Sequence, residues 1–188
     1  MELTFIRHAE SEFNHLGVFQ GRLNCSLSKD GIMQTREKAK NFDSSLYDIC
    51  FSSPLIRTLQ TSRILVPDLP IVCDDRIIEW NLGDWQNTSI TVEKLNSLNQ
   101  LHITPPNGES IQEISSRVQE FIDFLREKYH DKRILVITHA GIIYALQVAL
   151  GLDIKPIDNL EELTINLSCK RLLKKWIIFG GIFKLWNV

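Results

Sequence analysis

Residues 133–151, RILVITHAGIIYALQVALG, constrain the fold more than any other stretch of this chain. The run Ile134-Leu135-Val136-Ile137 has no polar alternation, so a strand built from it is apolar on both faces. Such strands belong at the centre of a parallel sheet covered on both sides. The run GIIYALQVALG that follows reads as a buried helix ending at Gly151.

The rest of the chain alternates in the same way. Leu3–Ile6 is a first strand, YDICFSS holds a second that Pro54 cuts off, and PIVCDD holds a third. Helical patterns lie between them. One runs from Gly31 to about Phe42. A second, PLIRTLQTSRIL, has Pro54 in its first turn, with the two serines before it as caps and Leu55, Leu59 and Ser62 on one face. The clearest is ESIQEISSRVQEFIDFLREKY, where Ile111, Ile114, Val118, Phe121, Ile122 and Leu125 form an apolar stripe. Strands alternating with helices predict an α/β sandwich around a mainly parallel sheet. Gln86–Asn107 breaks the rhythm and ends in TPPNG, which marks an inserted lid. Towards the C-terminus, LTINL reads as a strand and WIIFGGIFKLW as a hairpin turning at Gly180-Gly181.

Composition sets the outer limits. A chain of 188 residues with 44% hydrophobic content fills one domain, 1–188, with a full core. A net charge of -2 gives no global attraction for nucleic acid. No apolar run is long enough to span a bilayer, and MELTF has no basic leader, so a cytoplasmic location is expected. Cys25, Cys50, Cys73 and Cys169 form no C-x-x-C pair, and no two of the five histidines are spaced i, i+4. Neither a metal nor another cofactor is expected.

Chemistry concentrates at strand ends, where open α/β sheets bind ligands. His8 follows the first strand, directly after Arg7, and His139 follows the fourth. Neighbouring parallel strands would bring the two histidines side by side. Arg57 sits in the first turn after SSP and can point back over a strand end. With Arg7 it would clamp an anion. Taken singly, Arg57 reads equally well as a solvated helix charge. Glu79, in RIIEWNLGDW, is flanked by apolar and aromatic groups that would raise its pKa towards that of a general acid. Taken singly, it is an ordinary surface glutamate.

As an ordered set, RHAES with Asn14 after it, FQGRLNCSLSKDG, SSPLIRTLQT, EWNLGDWQ, PPNGES and VITHAG resembles the histidine phosphatase superfamily, the phosphoglycerate mutase-like proteins. The resemblance runs from Leu3 to about Leu152. It implies a three-layer α/β/α sandwich with a mixed, mainly parallel sheet. It also implies that His8 is the residue phosphorylated during turnover. Arg7, Arg57 and His139 would complete the phosphate pocket, Glu79 would be the proton donor, and Asn14 and Gln20 would line the pocket. Charge on the equatorial oxygens would be met by the two arginines and a protonated His139. Gly21 belongs to the same pocket turn, and Arg22 just after it is a candidate second anion contact. The partner is then a small phosphomonoester, with the oligomeric state left open and a homodimer as one option. Ala9 stands where the family motif usually has Gly, a small change if its φ is negative. The segment KRLLKKWIIFGGIFKLW matches no family pattern. It is read as an edge strand and hairpin in preference to a membrane-touching or partner-touching element.

The lid separates the members. Mutases hold a second anionic group of the substrate there, yet between Arg76 and Arg117 the only cation besides histidine is Lys94. The short, cation-poor lid resembles that of the α-ribazole phosphatase and broad-specificity phosphatase group. The expected activity is metal-independent hydrolysis of a small phosphomonoester through phosphohistidine, with α-ribazole 5′-phosphate as the candidate substrate. Phosphoglycerate mutase and a non-catalytic binding module are the alternatives.

Overall fold

The computed structural model describes residues 1–98 and 103–167. Strands β1 (Glu2–Arg7), β2 (Ile49–Ser52), β3 (Ile71–Cys73), β4 (Arg133–Thr138) and β5 (Glu162–Asn166) form one sheet in the order β3-β2-β4-β1-β5. The first four are parallel, and β5 closes the edge antiparallel to β1, so the sheet is mixed and mainly parallel. β4 lies at the centre, and all of Ile134–Thr138 is buried, as the unbroken apolar run requires.

Strand alternation sorts the core into two layers. Leu3, Phe5, Phe51, Ile134 and Val136 face one way, onto α5 (Ile111–Lys128) and α6 (Ala140–Leu150). Ile6, Cys50, Leu135 and Ile137 face the other way, onto Leu65 and Val66 at the end of α3 (Ile56–Leu65). There α2 (Lys29–Ala39) packs on α3. This is the expected three-layer sandwich. All six residues of the α5 stripe are buried, and Ser110 starts the helix with a reciprocal capping box to Glu113.

Local details differ from the sequence reading. α2 begins at Lys29 and ends at Ala39, instead of running from Gly31 to Phe42. Ser28 caps it by accepting from the Gly31 N–H, and Phe42 leaves the helix to stack on Tyr47 at 5.7 Å. Gly31 is needed there because a Cβ would lie 2.0 Å from the Glu10 carbonyl oxygen. α3 begins at Ile56 with Leu55 as an N-cap that makes no side-chain bond, so neither serine caps it in that way. Its buried face is Arg57, Thr58, Thr61, Ser62 and Leu65, while Leu59 stays partly exposed. The short α1 (Glu12–His15), capped by Ser11, had no clear periodic signal. The stretch 86–107 contains α4 (Val92–Leu98). The C-terminal hairpin reading lies outside the described residues.

Candidate active site

β1 and β4 pair with Arg7 opposite Thr138, and the His8 N–H donates to the Thr138 carbonyl at 2.9 Å. That register carries both histidines off the same sheet edge. Their rings meet edge to face with centroids 5.2 Å apart, and both are buried. His8 Nδ1–H donates to the Ala9 carbonyl at 2.7 Å. Its Nε2 accepts from Arg57 Nε at 3.3 Å, so the unprotonated nitrogen faces the guanidinium. Ala9 is not among the positive-φ residues, and its methyl is accommodated.

Arg57 is fully buried, on the second residue of α3. Its Nη1 donates to the Leu23 carbonyl at 2.7 Å and its Nη2 to the Gly21 carbonyl at 2.8 Å. Gly21 has φ +51, and a Cβ on it would lie 2.2 Å from Gln86 Oε1, so this turn requires glycine. Arg7 donates from Nη1 to the Ile157 carbonyl at 2.7 Å, while its buried Nε has no partner. His139 Nε2 lies 2.7 Å from Ser53 Oγ. Its Nδ1 is buried without a hydrogen bond, 4.0 Å from Glu79 Oε2. An orphaned nitrogen on each of these two side chains, beside the Arg57 guanidinium and the unprotonated Nε2 of His8, suits an incoming anion.

The electrostatics follow from burial. Desolvation, then Arg57 and Arg7, hold the His8 pKa well below the ordinary histidine value, and the Ala9 bond opposes them weakly. His139 is held low by desolvation, with Arg57, His8, Arg117 and Arg7 adding to it. Those contributions come from the protein's own groups and disfavour the protonated form expected of His139, while a phosphate dianion beside Nδ1 would favour it. Desolvation raises the Glu79 pKa against the backbone N–H groups of Trp80 and Gly141 and the charges of Arg57 and Arg7. The Trp80 N–H donates to Glu79 Oε1 at 2.8 Å.

The remaining expected residues are arranged around this centre. Asn14 Oδ1 and Gln20 Oε1 each lie 2.9 Å from the Ser11 Oγ, whose one hydrogen they share, and Asn14 Oδ1 also accepts from the Ser11 N–H at 3.1 Å, which leaves their NH2 ends for a ligand. Gln20 Oε1 also receives the Cys25 thiol at 3.3 Å. Arg22, the candidate second anion contact, donates to the Glu79 carbonyl through Nε at 3.1 Å and to Glu109 through Nη2 at 3.2 Å. Three further residues escaped the sequence reading. Ser53 holds His139, Asn159 Nδ2 donates to the His8 carbonyl at 2.7 Å, and Gly141 leaves the space that Glu79 fills. Ser53 stood in the SSP motif, but Asn159 had no signal. Among the described residues, no group of three or more His, Cys, Asp or Glu side chains could hold a metal ion. None of the described helices is long and apolar enough to cross a membrane.

Phosphoserine phosphatase 1 of Hydrogenobacter thermophilus is 30% identical over 187 residues, covering 91% of this chain and 89% of its own. The adenosylcobalamin/alpha-ribazole phosphatase of Escherichia coli is 30% identical over 156 residues, covering 78% and 77%. The crystal structure of the alpha-ribazole phosphatase from Shigella flexneri matches with a TM-score of 0.74 at 25% identity, covering 92% of this chain and 96% of that one. The family model for the histidine phosphatase superfamily (branch 1) matches residues 3–172, a span that contains both histidines, both arginines and the glutamate of the site. By that match this chain belongs to the histidine phosphatase superfamily (branch 1).

Proposed function

We propose that the chain is a metal-independent phosphomonoester hydrolase working through a phosphohistidine at His8. The observation that carries this reading is the His8 tautomer. Nδ1–H is fixed on the Ala9 carbonyl, which leaves Nε2 as the unprotonated nitrogen, held by one long bond of 3.3 Å from Arg57 Nε that an incoming phosphate can take over. In the first step His8 Nε2 forms a bond to phosphorus while the ester P–O bond breaks. Glu79 gives its proton to the leaving oxygen. In the second step water attacks phosphorus and passes a proton to the Glu79 carboxylate. The N–P bond breaks and neutral His8 returns. Arg7, Arg57 and His139 stabilise the charge on the equatorial oxygens, the role a metal fills in other phosphoryl-transfer sites.

For the substrate we favour α-ribazole 5′-phosphate, on the cation-poor lid and the names of the Escherichia coli and Shigella flexneri relatives. Phosphoserine is the second reading, favoured by the name of the Hydrogenobacter thermophilus relative, which covers more of both chains than the Escherichia coli relative does. Phosphoglycerate is disfavoured because Arg22, the candidate second anion contact, is already paired with Glu109. Steady-state turnover of α-ribazole 5′-phosphate, phosphoserine and 3-phosphoglycerate with chelator present tests both levels. Release of phosphate in chelator supports the mechanism, and the highest kcat/KM identifies the substrate. Turnover that stops in chelator and returns with Mg²⁺ overturns it.

A further inference from the structure

We propose that Arg117 is a positioning residue for Glu79, acting with Glu109 and Arg22 as a clamp on the main chain that carries the proton donor. The inference rests on the reading of Glu79 as that donor. Glu79 stands in irregular chain, between short 3-10 turns at Asp75–Ile77 and Gly83–Trp85, so no strand or helix ladder fixes it. Proton transfer nevertheless depends on placement to within a fraction of an ångström.

Arg117 supplies what the backbone there lacks. It lies in α5, directly before the buried Val118, with its side chain 13% exposed. Nη1 donates to the carbonyls of Arg76 at 2.8 Å and Ile78 at 2.6 Å, and Nη2 reaches the Glu79 carbonyl at 3.3 Å. Nε and Nη2 fork onto Glu109 at 2.7 and 2.9 Å, which sets the plane of the guanidinium. Arg22 donates to the same Glu79 carbonyl through Nε at 3.1 Å and to the same Glu109 carboxylate through Nη2 at 3.2 Å. Glu109 also ties down the next residues. Its carboxylate accepts from the Asn81 N–H at 3.3 Å, its carbonyl from Trp80 Nε1 at 2.6 Å, and its N–H donates to the Asn81 carbonyl at 2.8 Å.

Two arginines therefore hold one carbonyl, and one carboxylate holds both arginines. Largely buried ion pairs contribute little net stability, and apolar residues of like volume often serve as well. An apolar side chain cannot hold three carbonyls, and that is the feature distinguishing a clamp from filler. The charges bearing on the Glu79 carboxyl come from Arg57 and Arg7. Arg117 reaches Glu79 through the main chain instead, so its loss should blur the position of the acid.

The test compares an alkyl phosphate, whose leaving group needs a proton, with an aryl phosphate, whose leaving group does not. Glu79→Gln, Arg117→Met and the double variant are measured beside the parent, with melting curves to verify folding. Arg117→Met should lower kcat about 30-fold on the alkyl ester and at most about threefold on the aryl ester, with KM little changed. In the Glu79→Gln background it should cost less than about a further twofold on the alkyl ester, because the group it positions is gone. Should Arg117→Met fail to fold, Glu109→Gln keeps the shape, loosens both arginines and carries the same expected split. Equal losses on both esters, or a full additional loss in the Glu79→Gln background, overturn the clamp while leaving Glu79 as the acid. If Glu79→Gln itself shows no preference between the esters, the reading of Glu79 falls and the clamp's role falls with it.

Discussion

Burial pushes the pKa values of His8 and Glu79 in opposite directions, and the proposed mechanism needs both shifts. His8 must be neutral to attack, and its pKa is lowered; Glu79 must be protonated to donate, and its pKa is raised. Activity is lost as pH falls through the depressed His8 value and lost again as it rises through the elevated Glu79 value, so kcat/KM should be bell-shaped. Glu79→Gln should abolish the alkaline limb on an alkyl phosphate. A limb that stays in place assigns it to another group, with Glu10 and Asp84 the next to try. The histidines can be told apart chemically. Rapid quenching should trap phosphate on the protein in a bond stable to alkali and labile to acid, as a phosphoramidate is. His8→Ala should lose both the label and turnover. His139→Ala should lose turnover while slow labelling of His8 persists, since it removes a donor to the transition state and leaves the nucleophile. Phosphate mapped by mass spectrometry to Ser11, Ser52 or His139 would refute this division of roles. Arg7, His8, Arg57 and His139 were legible in the sequence because each stands beside a strand end or a helix start, whereas Glu79, in irregular chain, was singled out by its apolar and aromatic flanks and by the ordered set of motifs. The fixed partners of these residues were not legible. Asn159 meets His8, and Ser53 meets His139, across separations that no local pattern records.

The elements that carry the site were legible where one residue period dominates. β4 and the α5 stripe are the clear cases, since burial follows their apolar pattern directly. The start of α3 was not legible, because the feature sought there was a serine cap and Ser53 Oγ faces His139 instead. The buried polar face of α3 was missed for a related reason. Thr58, Thr61 and Ser62 satisfy themselves by bonding to carbonyls near their own turn of helix, so they can be buried without an apolar signature. The start of α6 makes a sharper demand. A Cβ on Gly141 would lie 2.4 Å from Glu79 Oε1 and 3.2 Å from Trp80 Cβ. Gly141→Ala can relieve that overlap by moving the flexible carboxyl, so the fold should survive and the acid should not stay in place. Alkyl phosphate turnover should fall more than about tenfold while aryl phosphate turnover falls much less. A variant with unchanged turnover on the alkyl ester would show that Glu79 has room to spare.

At the scale of the whole molecule, the site is a concentration of cost. Arg7 and Arg57 are largely desolvated, which lowers the pKa of both, and two neutral histidines lie beside them. The histidine shifts carry a sign. Both folded values lie below the unfolded ones, so the unfolded chain binds more protons as pH drops through the unfolded histidine value, and stability declines from there towards the folded values. Glu79 acts in reverse, because its folded value is raised and its contribution weakens as pH rises from the unfolded carboxyl value through the folded one. An anion that enters this cluster supplies the missing negative charge and gives the orphaned Arg7 Nε and His139 Nδ1 a partner. It binds the native state and not the unfolded chain, so it must raise the melting temperature. Vanadate, which imitates the transferring phosphoryl group, should do so strongly. At a hundredfold excess over its Kd the linkage is about 2.7 kcal/mol, or roughly 5–10 °C for a chain of this size. The shift should be the same for protein stripped of divalent metal beforehand, with the chelator then removed because it complexes vanadate, if the arginines and histidines alone hold the anion as proposed. A vanadate shift that appears only after divalent metal is added would place the charge on a metal and remove these side chains from the role given to them.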